Sequence, residues 1–417
     1  MDKKLQSKFF KYYQEYFFTF RMDIPLVEGL LQEALENKYY DLYSFTINLL
    51  CRQAIEAGDM DRFCEYLKPL KSMAEEKGGY PLVYCHINEG LNLLLKSKLP
   101  KEAIAEFQKA LNIYQDKQLT NGLTLYTIHQ FMGVAYRNLT DNISAYRHLS
   151  IALQTNLNEI FKFHKGITYQ WMALIERDFS FTSSALQKAL KSAEIFRKYK
   201  VDVRLSDSLN LVGSFYIGYA QFDEAMSVFT EGIEIAEKYN LTDIISDSYN
   251  GIGALYSAKN DFLNAIENYQ KSVKYRNNAI ESRNTLNNIG NAYLNSGLYE
   301  DAEKYFLQAL EIVNSINDDF LRTRLYNNLA LNCYHLQRFD DAIEYLKQAE
   351  PLAESLNDLD IYRKIYHIYT GIYDEQENYE LKADYAWRCT EKTVEYYENR
   401  LKINGEFIKM LNSLAIN

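Results

Sequence analysis

The sequence predicts an all-α protein built from repeated pairs of helices, and three observations lead to this prediction. The 417 residues include only five prolines and seventeen glycines, so few positions interrupt a helix. Apolar residues make up 47% of a chain that is too long for one compact core, which favours an extended or repetitive architecture. Small and aromatic residues also return at one fixed spacing along most of the chain, as expected for stacked repeats.

Residues 1–43 lie before the repeats and are predicted to form an N-terminal helical cap or small bundle. Pro25 suits the first turn of a helix over residues 26–37, because the N–H group that proline lacks is not needed there. An earlier helix carries a wide aromatic stripe, made of Phe9, Phe10, Tyr12, Tyr13, Phe17 and Phe18. We expect this pair of helices to cover the first repeat.

An internal repeat extends over residues 44–390. One set of five residues is spaced by 3, 9, 4 and 3, namely Gly290, Tyr293, Ala302, Phe306 and Ala309. Four other sets have the same spacing and begin at Gly133, Gly213, Gly253 and Ala330. Fainter copies begin at Cys51, Leu91, Ala173 and Gly371. About nine helix-turn-helix units therefore follow one another, with a mean period of about 40 residues.

These sets resemble the tetratricopeptide repeat (TPR), whose pattern places such residues at positions 8, 11, 20, 24 and 27 of each unit. The resemblance implies two antiparallel helices per unit that approach closely at the small residues of positions 8 and 20. Stacking of the units then produces a right-handed superhelix, an α-solenoid. The family's usual period is about 34 residues, so the helices here are predicted to be longer. Packing at positions 11 and 24 accounts for many of the 36 tyrosines.

Residues 391–417 are predicted to form a C-terminal closing helix after the last repeat. Its apolar side carries Phe407, Met410, Leu411 and Leu414. A helix in this place suits a repeat protein, because the terminal repeat has no neighbour on one side.

A column of carboxamides is the most specific signal in the sequence. Position 5 carries Asn or Gln in eight of nine units, as Asn48, Asn88, Gln130, Gln170, Asn210, Asn250, Asn287 and Asn327, and Ile368 in the ninth. Positions 2, 5, 9 and 12 form one stripe of the first helix, which lines the concave face in the TPR fold. A carboxamide has one acceptor and two donors, so a row of them can hold the main chain of a peptide. Alternatively, the amides bond between adjacent helices and only stabilise the stack.

The residues beside this column differ between units, as ligand specificity requires. Position 9 supplies Asn291, which we include among the peptide-binding residues. Position 12 supplies Arg137 and Arg177, and position 2 supplies Asp207 and Asp247. The hypothesis is a polarised groove, in which the arginines face an anionic group or a C-terminal carboxylate and the aspartates face a cationic or N-terminal group. Solvated charges or salt bridges between units are the alternative.

Charge and motif content exclude several other functions. The net charge of −10 and the lack of a basic patch disfavour nucleic-acid binding. No apolar run is long enough to cross a membrane, and the N-terminus is a poor signal peptide, so the predicted location is cytoplasmic. The six histidines show no metal-binding spacing, and no glycine-rich phosphate loop occurs. We therefore expect no catalytic residues, no metal and no cofactor.

An amide-lined groove in long TPR units resembles the intracellular peptide-pheromone receptors of Gram-positive bacteria, the Rap/Rgg/NprR/PlcR/PrgX (RRNPP) group. This resemblance implies that a short, imported, linear peptide binds inside the superhelix. Most members begin with a helix-turn-helix DNA-binding domain, and residues 1–43 show no such motif. Rap-type members instead carry an N-terminal helical bundle that engages a response regulator or transcription factor. The resemblance therefore implies a protein partner for this chain.

The predicted function is that of a cytoplasmic regulatory protein. It binds a short signalling peptide in its concave groove, changes superhelical pitch, and so changes its interaction with a regulatory protein partner. The alternative is a generic TPR scaffold for protein assembly without a peptide ligand. A co-chaperone is disfavoured, because the carboxylate clamp of such proteins needs Lys or Arg at position 5, and this column has none. The sequence leaves a homodimer open.

Overall fold

The computed structural model describes residues 24–276 and 278–416, and these residues form nineteen α-helices, two short 3₁₀ turns and no strand. These helices confirm the prediction of an all-α fold of TPR type. The aromatic stripe expected at residues 9–18 lies outside the described residues. The chain divides into two compact units, which we call the N-terminal unit (residues up to Ser208, with residues from Lys409 onwards) and the C-terminal unit (Leu209–Ile408).

One single helix and nine helix pairs follow in order. The single helix is α1, Ile24–Glu36. The first four pairs are α2 Tyr40–Ala57 with α3 Met60–Lys77, α4 Gly79–Leu95 with α5 Pro100–Asp116, α6 Gly122–Asn138 with α7 Asn142–Gln154, and α8 His164–Asp178 with α9 Thr182–Tyr199. The pair α10 Asp202–Gly218 and α11 Phe222–Lys238 comes next, and α10 contains the boundary between the two units.

The remaining four pairs lie in the C-terminal unit up to Ile408. They are α12 Thr242–Ala258 with α13 Phe262–Tyr275, α14 Arg283–Asn295 with α15 Tyr299–Ile316, α16 Asp319–His335 with α17 Phe339–Leu356, and α18 Leu359–Glu375 with α19 Tyr379–Ile416. The helix that we predicted to begin at residue 391 is not separate, because α19 passes through Glu391 without a break. Residues 385–400 contain no proline or glycine that would end it.

Three of the turns share a two-residue motif, an asparagine followed by an aspartate. Asn260, Asn317 and Asn357 have positive φ angles of 60°, 54° and 50°, a left-handed conformation that asparagine tolerates better than most residues. An aspartate follows each of them, and its carboxylate accepts the backbone N–H three residues later. Asp318, for example, accepts from Leu321 at 3.1 Å. This contact satisfies one of the N–H groups left open at a helix start.

Close approach of the two helices in a pair depends on the small residue at position 8. A Cβ atom added to Gly290 would lie 2.5 Å from the ring of Phe306, and one added to Gly213 would lie 2.5 Å from the ring of Phe229. Phe306 is fully buried. The aromatic residue at position 24 thus occupies the space that glycine leaves open, as the repeat pattern predicted.

Candidate functional site

In the N-terminal unit, the position-5 amides bond between neighbouring repeats. Asn48 Nδ2 donates to Asn88 Oδ1 at 2.7 Å, and both residues are buried. Gln130 Oε1 accepts from the hydroxyl of Thr168 in the next repeat at 2.8 Å and from that of Tyr126 at 3.2 Å. These amides therefore contribute to the contact between first helices.

The same arrangement continues in the C-terminal unit. Asn210 Oδ1 accepts from Ser248 at 2.7 Å. Asn250 Oδ1 accepts from Asn288 Nδ2 at 3.1 Å, and Asn287 Oδ1 accepts from Asn328 Nδ2 at 2.9 Å. In each case a polar side chain of the following repeat donates a hydrogen bond to the amide oxygen. The adjacent asparagines 287 and 288 thus bond in opposite directions along the row of helices.

Part of the amide hydrogen-bonding capacity is not used by the protein. Asn88 Nδ2, Gln130 Nε2 and Asn327 Oδ1 are buried and have no hydrogen-bond partner among the described residues. Leaving a buried polar atom unpaired costs roughly 1–3 kcal/mol, so these atoms favour any state that supplies a partner. The row of amides can therefore connect the repeats and still offer groups to a ligand.

The charged residues expected to polarise the groove have partners within the protein. Arg137 lies 3.5 Å from Asp178 and stacks over Trp171, and Arg177 lies 3.8 Å from the same aspartate. Asp207 accepts from Gln170 at 3.4 Å. The carboxylate of Asp247 is paired with the guanidinium of Arg276. Contact of these four residues with a ligand remains a prediction.

A cleft of about 680 Å³ in the C-terminal unit brings together three of the predicted residues, Asn287, Asn291 and Asn327. Helices α14, α16, α18 and α19 form its walls. The other lining residues are Arg324, Asn328, Leu331, Ile361, Arg363, Lys364, His367, Ile368, Cys389 and Thr393. The cleft therefore combines amides with cationic and apolar groups.

The lining of this cleft carries cationic side chains and no carboxylate. Arg324 is exposed and stacks over the ring of Phe320 at 4.3 Å. Arg363 and Lys364 each lie 2.7 Å from Asp360, which is not a lining residue. The one carboxylate of Asp360 balances only one of the charges of Arg363 and Lys364, so one positive charge remains. Arg324 adds a second positive charge to the cleft. The cleft is thus suited to an anionic group of a ligand.

Sequence reasoning did not select Arg363, Lys364, His367, Cys389 or Thr393. Position 5 carries isoleucine, Ile368, instead of an amide in the last repeat. This change was the one sequence signal that the lining of the groove differs there. Cys389 and Thr393 belong to a second helix of a pair, whereas the predicted groove used only first helices.

A second cavity of about 400 Å³ lies in the N-terminal unit. Most of its lining is apolar or aromatic, including Trp171, and the polar residues include Asn48, Gln130 and His164. Burial, together with the charges of Arg52 and Arg204, lowers the pKa of His164 to about 3. His164 is therefore neutral at physiological pH. This cavity is suited to an apolar group.

The described residues include one group that could hold a cation, formed by His86, Glu89 and Glu106 within 4.8 Å of one another. Each member already has a protein partner. Glu106 bonds His86 at 2.7 Å and Lys109 at 2.7 Å, and Glu89 bonds Lys71 at 2.7 Å. These ion pairs account for the group without a metal. Within residues 24–416, leaving aside position 277, no helix is both long and apolar enough to span a membrane.

Two segments match family models described as tetratricopeptide repeat, residues 246–278 and residues 281–355. The regulatory protein RapK of Bacillus subtilis strain 168 is 30% identical over 92 residues. These residues are 22% of this chain and 24% of RapK, so the match spans about a quarter of that curated relative.

Solved structures match over much more of the chain. RapI in its apo form has a TM-score of 0.62 and 16% identity, over 86% of this chain and 99% of that chain. The Rap conjugation gene regulator of plasmid pLS20, in complex with the Phr* peptide, has a TM-score of 0.54 and 14% identity, over 86% and 96%. The apo quorum sensor NprR of B. thuringiensis has a TM-score of 0.54 and 14% identity, over 94% and 99%. The chain therefore contains tetratricopeptide repeats and resembles the Rap and NprR proteins in fold.

Proposed function

We propose that this chain is a regulatory protein that binds a short linear peptide in the cleft of its C-terminal unit, and that binding changes its interaction with a regulatory protein partner. The observation that carries the proposal is the gathering of Asn287, Asn291 and Asn327 in one cleft. The likeness in fold to a Rap protein in complex with a peptide supports it.

The chemistry of the cleft fits a peptide main chain. Asn327 Oδ1 can accept an N–H bond, and the half-buried Asn291 makes no hydrogen bond through its side chain within the described residues. An amide beside a peptide group can pair with both its C=O and its N–H. A volume of about 680 Å³ lies within the range of pockets that enclose small ligands, so the cleft holds a short segment.

The cationic side chains define which part of the peptide lies there. Arg324, Arg363 and Lys364 would form charge-assisted bonds with a carboxylate, which are about twice as strong as neutral hydrogen bonds. The segment in the cleft therefore carries a C-terminal carboxylate or an acidic side chain. This assignment differs from the expectation that Arg137 and Arg177 face the anionic group.

The effect on a partner follows from the stacked architecture. Each repeat contacts mainly its neighbours, so a ligand that contacts α14, α16, α18 and α19 affects the packing of three successive pairs. The peptide shifts the equilibrium between two arrangements of these pairs only if it binds one arrangement more tightly than the other.

Five unpaired cysteines fit the reducing cytoplasm in which we place this function.

Titration calorimetry with pooled short linear peptides tests the proposal. We expect binding heat with the wild type and a loss of affinity of about tenfold or more in the Asn291→Ala/Asn327→Ala variant, since two hydrogen bonds to the ligand are removed. Asn287 is left unchanged because its oxygen also bonds Asn328. The matched control is Asn314→Ala, an exposed asparagine on α15 that does not line the cleft.

Two results would contradict the proposal. If no pool releases heat with the wild type, the chain is a scaffold of the generic kind. If the double variant binds as tightly as Asn314→Ala, the peptide lies elsewhere on the chain. The partner step has its own test, in which crosslinking to a candidate response regulator or transcription factor must change when the bound peptide is added.

A further inference from the structure

The cavity of about 400 Å³ in the N-terminal unit shares no lining residue with the cleft in which we place the peptide. Helices α2, α4, α6 and α8 form its walls, and α10 contributes Arg204. Pockets that enclose small ligands have volumes of about 300–1,000 Å³. The cavity is therefore large enough to hold a small molecule of its own.

Aromatic side chains from three helices line this cavity, namely Phe45, Tyr126, Phe131 and Trp171. The ring of Tyr126 lies 5.4 Å from that of His164, and the guanidinium of Arg137 lies over the ring of Trp171 at 5.4 Å. These contacts hold both rings against the protein. Aromatic rings prefer stacked or edge-to-face aromatic partners, so the walls favour a ligand that carries an aromatic ring.

One lining side chain, that of Gln130, has a hydrogen-bond donor without a partner. Gln130 is 6% exposed, and its Oε1 already accepts from the hydroxyl of Thr168 at 2.8 Å. Its Nε2 has no hydrogen-bond partner within the described residues. A ligand with an acceptor oxygen would satisfy this donor. A peptide main chain also presents N–H groups, which need acceptors that Gln130 does not offer.

The charged side chains of the lining indicate the charge of the ligand. They are two arginines, Arg52 and Arg204, and one carboxylate, that of Glu56, which lies 2.8 Å from Arg52. After burial, the charges of both arginines are what lowers the pKa of His164, so both act within the cavity. His164 is neutral at physiological pH and adds no charge. The lining therefore has an excess of one positive charge, which favours an anion.

We propose that this cavity is a second ligand site, which binds a small aromatic carboxylate. The aromatic ring packs among the rings of the wall, and the carboxylate lies among Gln130, Arg52 and Arg204. Such a ligand contacts successive first helices, so it stabilises the folded N-terminal unit by mass action. Its binding does not depend on a peptide in the C-terminal unit.

Tryptophan fluorescence tests this site directly. The chain has two tryptophans, and Trp387 is 70% exposed on α19, so a Trp387→Phe protein reports on Trp171 alone. The probes are 3-phenylpropionate, the neutral 3-phenylpropionamide and the cationic 3-phenylpropylamine, which have nearly the same shape. We expect a saturable change with the carboxylate and an affinity about tenfold lower for the amide, because charge-assisted hydrogen bonds are stronger. The amine should not bind.

Two results with these probes would overturn the proposal. One is the absence of a saturable change with 3-phenylpropionate, and the other is equal affinity for all three probes. Arg204→Gln gives a further measurement of the charge. We expect it to lower the affinity for 3-phenylpropionate by about tenfold and to leave that for 3-phenylpropionamide nearly unchanged. An equal effect on both probes would contradict an anion site.

A substitution that fills the cavity locates the probe. We expect Val134→Phe to abolish binding of 3-phenylpropionate, because Val134 lines the cavity and the larger ring occupies its space. Val394→Phe, at an exposed valine on α19, is the matched control. Circular dichroism checks that both variants are folded. The Asn291→Ala/Asn327→Ala variant should bind the probe like the wild type, which separates this site from the peptide cleft. Unchanged binding by folded Val134→Phe would refute the proposal.

Discussion

At the scale of single residues, the repeat depends on a contact between glycine and an aromatic ring. Gly290 leaves the space that the ring of Phe306 occupies, and Ala302 and Ala309 of the same pair are fully buried. The absence of a side chain at position 8 lets α14 and α15 approach closely. The sequence predicted this contact because both residues belong to one short, regular spacing.

We expect Gly290→Ala to lower the free energy of unfolding by roughly 1–3 kcal/mol, as overpacking of a filled core does. The new Cβ would lie 2.5 Å from a fully buried ring, and this clash exceeds the gain in helix propensity of about 0.5–1 kcal/mol. Thermal unfolding followed by circular dichroism measures the effect.

The control for this substitution is Gly405→Ala. Gly405 lies inside α19, and a Cβ there would meet no atom within 4 Å. We expect this variant to be as stable as the wild type or more stable, because only helix propensity changes. Equal destabilisation by both substitutions would show that position 8 is not tightly packed.

At the scale of helices, the amide column acts as a connection between repeats. Asn287 on α14 accepts from Asn328 on α16, and Asn250 on α12 accepts from Asn288 on α14. The alternative that the amides bridge adjacent helices is therefore part of the structure. Peptide binding depends on the groups that these bridges leave unused.

A double-mutant cycle measures one such bridge. We expect Asn287→Ala and Asn328→Ala to be coupled by about 0.5–1 kcal/mol in unfolding free energy, because either substitution removes the same hydrogen bond. Asn291→Ala with Asn328→Ala supplies the comparison, since Asn291 does not bond Asn328 within the described residues. A coupling no larger than that of this second pair would argue against the bridge.

At the scale of the whole chain, the two units differ in their histidines. His129 and His164 are buried in the N-terminal unit, whereas His335 and His367 of the C-terminal unit are exposed. Burial and the nearby His148 lower the pKa of His129 to about 4. The Nδ1 atoms of His129 and His148 are 2.9 Å apart, so one ring must stay neutral to accept the hydrogen bond.

These lowered pKa values predict that, as the pH falls, the N-terminal unit loses stability before the C-terminal unit does. An unfolded histidine has a pKa of about 6.5, so below that pH the unfolded state binds protons that buried His129 and His164 do not bind. The free energy of unfolding is therefore highest above about pH 6.5, and each of the two histidines lowers it by up to about 1.4 kcal/mol per pH unit as the pH falls towards about 4.

Hydrogen exchange at pH 7 and pH 5, corrected for the intrinsic rate, measures this difference. We expect protection to fall in residues 122–178 and to stay nearly constant in residues 319–375. His129→Gln should reduce the loss, and His335→Gln, which removes an exposed imidazole, should not. An equal loss of protection in both units would contradict the prediction.

The helix pairs, their number and the helix stripe that carries the amides could all be predicted from the amino-acid sequence. These properties depend on residues close together in the chain, whose spacing decides which side chains share one face of a helix. The folded structure was needed to show which group each amide oxygen meets, that Arg363 and Lys364 line a cleft with Asn327, and that Trp387 on α19 is exposed. Such contacts join residues dozens of positions apart, and they depend on how each helix is rotated against its neighbours.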